Sequence, residues 1–398
     1  MKILFVAMSE SIHTARWVNQ VTDSGWGVRL FDSTDSGQIN PVLRNATVYQ
    51  SMFGTQASLS PSIKRKGAWL PTGRTYAKRI LNRWQPDYRL RRLAQLIQEF
   101  QPDIIHSLEF QHSSYLVLEA RHWLQAQGVT NFPKWIVFNW GNDIYLFNRL
   151  AEHKARIHEL LQTADYFDCD CERDVRLAKA IGMKAVSLPV LPVTGGFDLA
   201  HMLRLAGTEK PSARRIIAVK GYQHWQGRAL FALRALALCA DVLQDYKVVI
   251  FSAFPAEDIS MAAELLAQEI GIPVEVMANG LPNDQILSLF AHSRIFLCTN
   301  ISDGASIAML EAMSLGAFPI QSNTACADEW ITDGETGFIV PPEDPQIIAT
   351  AIRRALTDDT LVDQAAELNA KTCAERLDAT QIRQQVIDMY QSIVENRL

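Results

Sequence analysis

Short apolar runs of strand length alternate with longer stretches of helical period along almost the whole chain, the pattern of β-α-β units whose parallel strands are covered on both faces. In the first half the apolar runs predict strands at 2–7, 28–31, 104–107, 135–139, 166–169 and 185–188, with helices at 13–24, 90–100, 113–127, 151–163 and 173–181. The run Leu188-Pro-Val-Leu-Pro-Val-Thr-Gly-Gly196 breaks the alternation with prolines and glycines, which makes it the expected hinge. A second alternation follows, with strands at 215–219, 247–251, 274–277, 295–299 and 318–321 and helices at 227–239, 259–269, 284–291 and 306–315. An amphipathic stretch at 380–396 comes after that set is complete, so the expected domains are 1–190 and 191–379, with a closing helix in 380–398. Two such open sheets facing each other would point both sets of strand carboxyl ends into one crevice, where α/β sheets bind ligands.

The chain has 398 residues, 48% hydrophobic and 20% charged, and a formal charge of −5. This composition excludes a disordered tail, a collagen-like fibre and a multi-span membrane protein, and the length exceeds the roughly 250–300 residues at which a single core stops growing. Met1-Lys-Ile-Leu-Phe-Val-Ala7 is too short for a signal-peptide core or a spanning helix, so it reads as the first buried strand of a cytoplasmic protein. Six cysteines, only Cys169 and Cys171 being near neighbours, lack zinc spacing and read as reduced thiols. One stretch departs from the average: residues 64–92 hold ten basic residues against the single acid Asp87, interleaved with Trp69, Tyr76, Trp84 and Tyr88. Cations mixed with amphipathic rings suit an anionic lipid surface and peripheral attachment at the inner face of a membrane. A solvated basic face or a long mobile loop is the other reading, and nothing else in the chain supports nucleic-acid binding.

The segment Asp303-Gly-Ala-Ser-Ile-Ala-Met-Leu-Glu311 carries the most informative chemistry. It follows the predicted strand 295–299 and opens a predicted helix with Ser306 as its cap. Free amides and the positive end of the helix dipole at Ala305, Ser306 and Ile307, just after the flexible Gly304, would suit a phosphate. Asp303 before the cap and Glu311 about two turns along place carboxylates either side of it, able to accept hydrogen bonds from sugar hydroxyls. Asp168-Cys-Asp170 has the D-x-D form of some metal sites but is only a three-residue match. Ala7-Met-Ser-Glu-Ser-Ile-His13 has no glycine, which argues against a dinucleotide-binding turn.

The run from Asp303 to Pro342, with Glu311-Ala-Met-Ser-Leu-Gly316 and Ile331-Thr-Asp-Gly-Glu-Thr-Gly-Phe-Ile-Val-Pro-Pro342, resembles the signature of the retaining GT-B glycosyltransferases of family 4. Ser11-Ile-His-Thr-Ala-Arg-Trp17, Pro102-Asp-Ile-Ile-His106, Trp140-Gly-Asn-Asp143 and Gly280-Leu-Pro-Asn-Asp284 sit where that family has similar pieces. The resemblance implies an α/β GT-B fold of two Rossmann-like domains facing a central cleft. The first would take the acceptor, the second the nucleotide sugar, and the closing helix would cross back to the first. It also implies no metal and no cofactor beyond the nucleotide diphosphate sugar that serves as donor.

On this resemblance Glu311 holds the ribose hydroxyls, and Asp303, with the amides of Gly304, Ala305, Ser306 and Ile307, holds the donor sugar and its phosphate. Gly221 and Leu281 join the donor-binding set. The family usually has Glu where Asp303 stands, followed by Gly-Phe-Gly or Gly-Phe-Pro where this chain has Gly-Ala-Ser. It also usually supplies an Arg and a Lys to the leaving diphosphate from G-R-x-x-x-x-K-G. Here Val219-Lys-Gly-Tyr-Gln-His-Trp-Gln-Gly-Arg228 lacks that register, which leaves Lys220 and Arg228 for the role and His224 as a lesser candidate. His106 would lie beside the donor sugar, and Glu109 and His112 would contact or deprotonate the acceptor hydroxyl. His13, Asn142, Asp143 and the Glu172-Arg173-Asp174 triplet are weaker acceptor-side candidates.

The expected function is therefore transfer of a hexose, with retention, from a nucleotide diphosphate to a hydroxyl of a glycan or lipid-linked acceptor, in bacterial-type surface polysaccharide synthesis. The rival readings are a nucleotide-sugar epimerase or hydrolase of the same fold, and a catalytically silent protein that binds a glycan or a partner.

Overall fold

Ile3 to Ala7 are wholly buried, and a strand with no solvent face belongs in the middle of a sheet covered on both sides. In the computed structural model, which describes residues 1–397, this strand, β1 (Lys2–Ala7), is central to the first of two units. That unit comprises Met1–Gly196 and the segment from Thr380 onward; the second is Phe197–Ala379. The division falls after Gly196, so 191–196 stay with the first unit.

The first unit is built on an eight-stranded parallel sheet: β1, β2 (Gly27–Asp32), β3 (Thr47–Phe53), β4 (Lys64–Trp69), β5 (Ile104–Leu108), β6 (Lys134–Asn139), β7 (Tyr166–Cys169) and β8 (Val186–Ser187). Its order is β4-β3-β2-β1-β5-β6-β7-β8, so the direction of winding reverses between β1 and β5. The second unit has six parallel strands: β9 (Ile216–Tyr222), β10 (Lys247–Phe254), β11 (Val274–Val276), β12 (Ser293–Cys298), β13 (Phe318–Ser322) and β14 (Phe338–Val340). Their order, β11-β10-β9-β12-β13-β14, reverses between β9 and β12. Ligands of such sheets bind past the strand carboxyl ends at these reversals.

Two strands lie where no apolar run announces them. β3 pairs with β2, and β4, of sequence KRKGAW, pairs with β3 at the sheet's edge. An edge strand is fixed by backbone bonds on one side and can carry charge, so it shows no hydrophobic period. The stretch 64–92 is thus not one long loop but β4 followed by the helices Arg74–Trp84 and Tyr88–Phe100. The first helix spans Ile12–Val18 rather than 13–24, because the amides of Gln20 and Val21 bond back three residues, to Trp17 and Val18, and turn the chain. The closing helix, Ala379–Val394, buries Ile382, Val386, Met389, Tyr390 and Ile393.

Candidate functional site

In the second unit the chemistry gathers past the ends of β9 and β12. Lys220, near the end of β9, is mostly shielded, with its ammonium 3.8 Å from an Asp303 carboxylate oxygen and 4.6 Å from the centre of the Tyr222 ring. Burial alone would lower the Lys220 pKa, but Cys298, Asp303, Tyr222 and Glu311 raise it by more, so the ammonium titrates above its ordinary value. Asp303 is fixed in turn: Gly304 N donates to its Oδ1 at 3.0 Å and Asn300 Nδ2 to its Oδ2 at 3.1 Å. Ser306 caps the helix Ile307–Ser314 by backbone conformation, yet its side chain makes no capping bond and its buried hydroxyl has no partner. Glu311, on that helix, is itself buried. A cation, the first amides of a helix and an unspent hydroxyl therefore share one corner, a combination suited to an anion.

Two more of the candidate residues lie at the end of β9 and in the loop after it. Gly221 is a packing glycine, since a Cβ there would come within 2.7 Å of Ile250 and 2.8 Å of Ala253. Arg228 caps the next helix and is engaged, its Nε facing Glu343 Oε1 at 2.5 Å and its guanidinium donating to Gly227 O at 2.8 Å. His224 lies between rings, 4.9 Å from Tyr222 and 5.7 Å from both Trp225 and Phe254. Burial, with the charges of Lys220 and Arg228, lowers its pKa. These rings, with Ser252, Ala253 and Asn279, line an open pocket of about 490 Å³. Leu281 lies in the loop before the helix Asn283–Ala291 and does not line this pocket.

In the first unit a polar cluster sits past the ends of β5, β6 and β7. Glu109, directly after β5, holds φ 77° and ψ 149°, a backbone conformation that is strained for any residue but glycine. Both its carboxylate oxygens accept from His112 N at 2.9 Å, and His112 Nδ1 lies 3.1 Å from Oε1. The carboxylate is shielded while the imidazole is 59% exposed, so the ring is the face offered to a ligand. The bond to Glu109 raises the His112 pKa, against burial and the charge of Arg89. With its amide nitrogen turned to the carboxylates, Gln111 reaches Glu109 at 3.1 Å and Asp143 at 2.7 Å. Asp143 is buried, accepts from Trp140 N at 2.8 Å, and has its pKa raised well above the usual range by burial and by Glu109. Asn142 opens the short helix Asn142–Tyr145 that carries Asp143, Arg173 binds Asp174 at 2.8 Å and stacks 4.2 Å from the Tyr145 ring, and the His13 ring packs 5.4 Å from Trp140.

His106 is corrected from site residue to core residue. It is wholly buried in β5, its Nδ1 2.6 Å from the hydroxyl of Tyr390, which also accepts from Trp17 Nε1 at 3.1 Å. The ring is thus hydrogen-bonded inside the core, and burial pushes the His106 pKa down to about 3. Asp168, in the D-x-D triplet, is also buried, 3.7 Å from His106 Nε2, with its carboxyl pushed well up by burial. Asp170, Cys171 and Asp174 stand close enough to share an ion, but Asp174 already accepts from Asn139 and Arg173.

Residues 2–169 match the family model described as Glycosyl transferase 4-like, and residues 207–372 match Glycosyl transferases group 1. The chain belongs to the group 1 glycosyltransferases. It is 26% identical over 144 residues to the alpha-maltose-1-phosphate synthase of Mycolicibacterium smegmatis, a match covering 35% of this chain and 37% of the relative. The chain thus spans about a third of the length of the curated relatives it matches. Two solved structures share its fold over its length. Sucrose-phosphate synthase from Thermosynechococcus elongatus has TM-score 0.71 and 14% identity, covering all of both chains. Anabaena HepE in complex with UDP-glucose has TM-score 0.69 and 15% identity, covering 98% of this chain and all of that one. The architecture of this group 1 glycosyltransferase is α/β of the GT-B type.

Several residues of these clusters escape sequence reasoning. Gln111 looks like an ordinary surface polar residue until the strand ends converge. Tyr222, Trp225 and Phe254 did carry a signal, aromatic residues in loops directly after predicted strands, and Asn279 carried none.

Proposed function

We propose that the second unit binds the nucleotide diphosphate of a sugar donor and that the protein transfers the sugar, with retention, to a hydroxyl of a glycan or lipid-linked acceptor. The observation that carries this reading is the corner formed by Lys220, Asp303, Glu311 and the unpartnered hydroxyl of Ser306. As the bond from the anomeric carbon to the diphosphate oxygen breaks, charge grows on the diphosphate; the Lys220 ammonium and the helix amides offset it. Glu311 accepts from the ribose hydroxyls, and the base lies against Tyr222, Trp225 and Phe254. The acceptor oxygen forms the new bond to the anomeric carbon, and its proton passes to His112, whose ring Glu109 fixes. No metal or further cofactor enters this reading. Surface polysaccharide synthesis at the cytoplasmic face is the setting it suits.

The UDP-glucose bound by HepE makes uridine diphosphate sugars the first donors to try. One observation favours a second reading, binding without transfer: Arg228, a candidate partner of the leaving group, is held by Glu343. Titrating uridine, guanosine and adenosine diphosphate sugars by calorimetry, then assaying donor consumption with and without acceptors, separates the two. Tight binding with no turnover supports the second reading. Absence of binding by any of the three classes, or unchanged affinity in a folded Glu311→Ala variant, overturns the donor-site assignment.

A further inference from the structure

The ten cations of residues 64–92 differ in what holds them. Arg65 turns inward: its guanidinium donates to Gly54 O, Gly37 O and Gln50 Oε1 at 3.0, 2.9 and 2.7 Å and stacks 4.2 Å from the Phe53 ring. Arg74 donates to Gly37 O at 3.3 Å, Lys78 pairs with Asp35 at 3.3 Å, and Arg89 faces Asp32 and Asp35. Lys64, Lys66, Arg79 and Arg83 are exposed. Arg91 pairs with Asp87 at 3.8 Å and Arg92 donates to Gln95 Oε1 at 3.0 Å, which leaves Lys64, Lys66, Arg79 and Arg83 to meet a partner.

The helix Arg74–Trp84 buries none of its residues. Tyr76, Ile80 and Trp84 follow one another at four-residue intervals, so they share a face of it. They are 71%, 44% and 80% exposed, and Trp69, at the end of β4, is 63% exposed. A row of large apolar side chains left in water, flanked by Arg79 and Arg83, needs a cover with both an apolar interior and negative charge. Charge complementarity is unopposed, because no Asp or Glu stands between Asp35 and Asp87. Rings at the level of headgroups with cations reaching phosphates is how an interfacial helix lies on a bilayer. Among the described residues no helix is long and apolar enough to cross a membrane.

We propose that this face, Trp69, Tyr76, Ile80 and Trp84 with Lys64, Lys66, Arg79 and Arg83, docks the protein on an anionic lipid surface. The rings and Ile80 enter the headgroup region while the four cations pair with lipid phosphates. Docking stands apart from the transfer reaction and can be tested without it. It occurs at the end of the sheet that carries the polar cluster: Lys78 reaches Asp35 just past β2, and the charge of Arg89 bears on His112.

The test is flotation of the full chain with vesicles of phosphatidylcholine alone or mixed with phosphatidylglycerol, at low and at physiological salt. The wild type should bind the mixed vesicles at least tenfold more tightly than the neutral ones and weaken as salt rises, since each cation near an anionic surface strengthens attachment about fivefold. Replacing Lys64, Lys66, Arg79 and Arg83 with Gln should remove that preference. Tyr76→Ser with Trp84→Ser should weaken binding to the mixed vesicles about tenfold with the charges intact. Because these side chains are exposed, both variants should melt like the wild type, and a control Arg65→Gln should lower the melting temperature instead. Equal binding to neutral vesicles, no binding at low salt, or unchanged binding by either surface variant overturns the proposal. So does a stable dimer in solution that the same substitutions dissociate, which would make a second copy the cover, or a polyanionic nucleic acid that binds this face more tightly than the vesicles do.

Discussion

The ammonium of Lys220 stands 3.8 Å from the Asp303 carboxylate with both side chains mostly shielded from water. A charge pair so placed is strong locally and is preorganised for a third charged group, because neither partner has to leave solvent when the ligand arrives. Lys220→Met keeps the aliphatic stem and removes the cation. It should lower kcat by about 10²–10³ while leaving donor affinity less affected. Steady-state kinetics with a matched melting curve checks this; an unchanged kcat in a folded variant would remove Lys220 from the leaving-group role.

The Glu109–His112 pair sets a pH dependence. The bond to Glu109 raises the His112 pKa above its ordinary 6.5, so the pair's stabilisation is complete below pH 6.5 and fades as pH rises through the raised value. In the proposed reaction the neutral imidazole is the base, so kcat should fall as pH drops through that same raised value. Glu109→Gln should move both the NMR titration of His112 and the acidic limb of the rate profile to lower pH. A limb that stays fixed while the NMR midpoint moves would mean that another group accepts the proton.

Tyr390→Phe tests the reassignment of His106. It deletes one oxygen and leaves the indole N–H of Trp17 and Nδ1 of His106 buried without a partner. The cost should be about 1–3 kcal/mol of stability. Denaturant unfolding measures it, and donor binding by the folded fraction should be unaffected.

Transfer should survive incubation with excess EDTA, because the compensating positive charge is assigned to Lys220 and the helix amides. Loss of turnover restored by manganese or magnesium would overturn that account of the leaving group.

The parts of the fold that were legible in the sequence are those where burial is complete. Ile3–Ala7 and Ile295–Cys298 are buried throughout, so each leaves an unbroken apolar run. β4 left none, since Lys64 and Lys66 face solvent and only backbone pairing with β3 fixes the strand. The nearness of Asp303 and Glu311 was legible because they lie on one short helix and the turn before it. His106 was misread for the opposite reason: its deciding partner, Tyr390, lies 284 residues along the chain. A histidine that a distant tyrosine satisfies looks, in its local sequence, like one that meets a substrate. The strained backbone of Glu109 was also invisible, because nothing in a glutamate announces a positive φ.

The chain leaves the first unit at Gly196 and rejoins it only at Thr380. During synthesis the second unit, a continuous run, is complete as soon as its last helix clears the ribosome. The first unit is not, for until Tyr390 emerges the Trp17 indole and the His106 ring have no hydroxyl to bind. The half that begins first is therefore the last to be finished, and a newly made chain spends the interval as a finished half tethered to a waiting one. That interval is when chaperones and proteases would find it, and a premature stop after residue 379 would make it permanent.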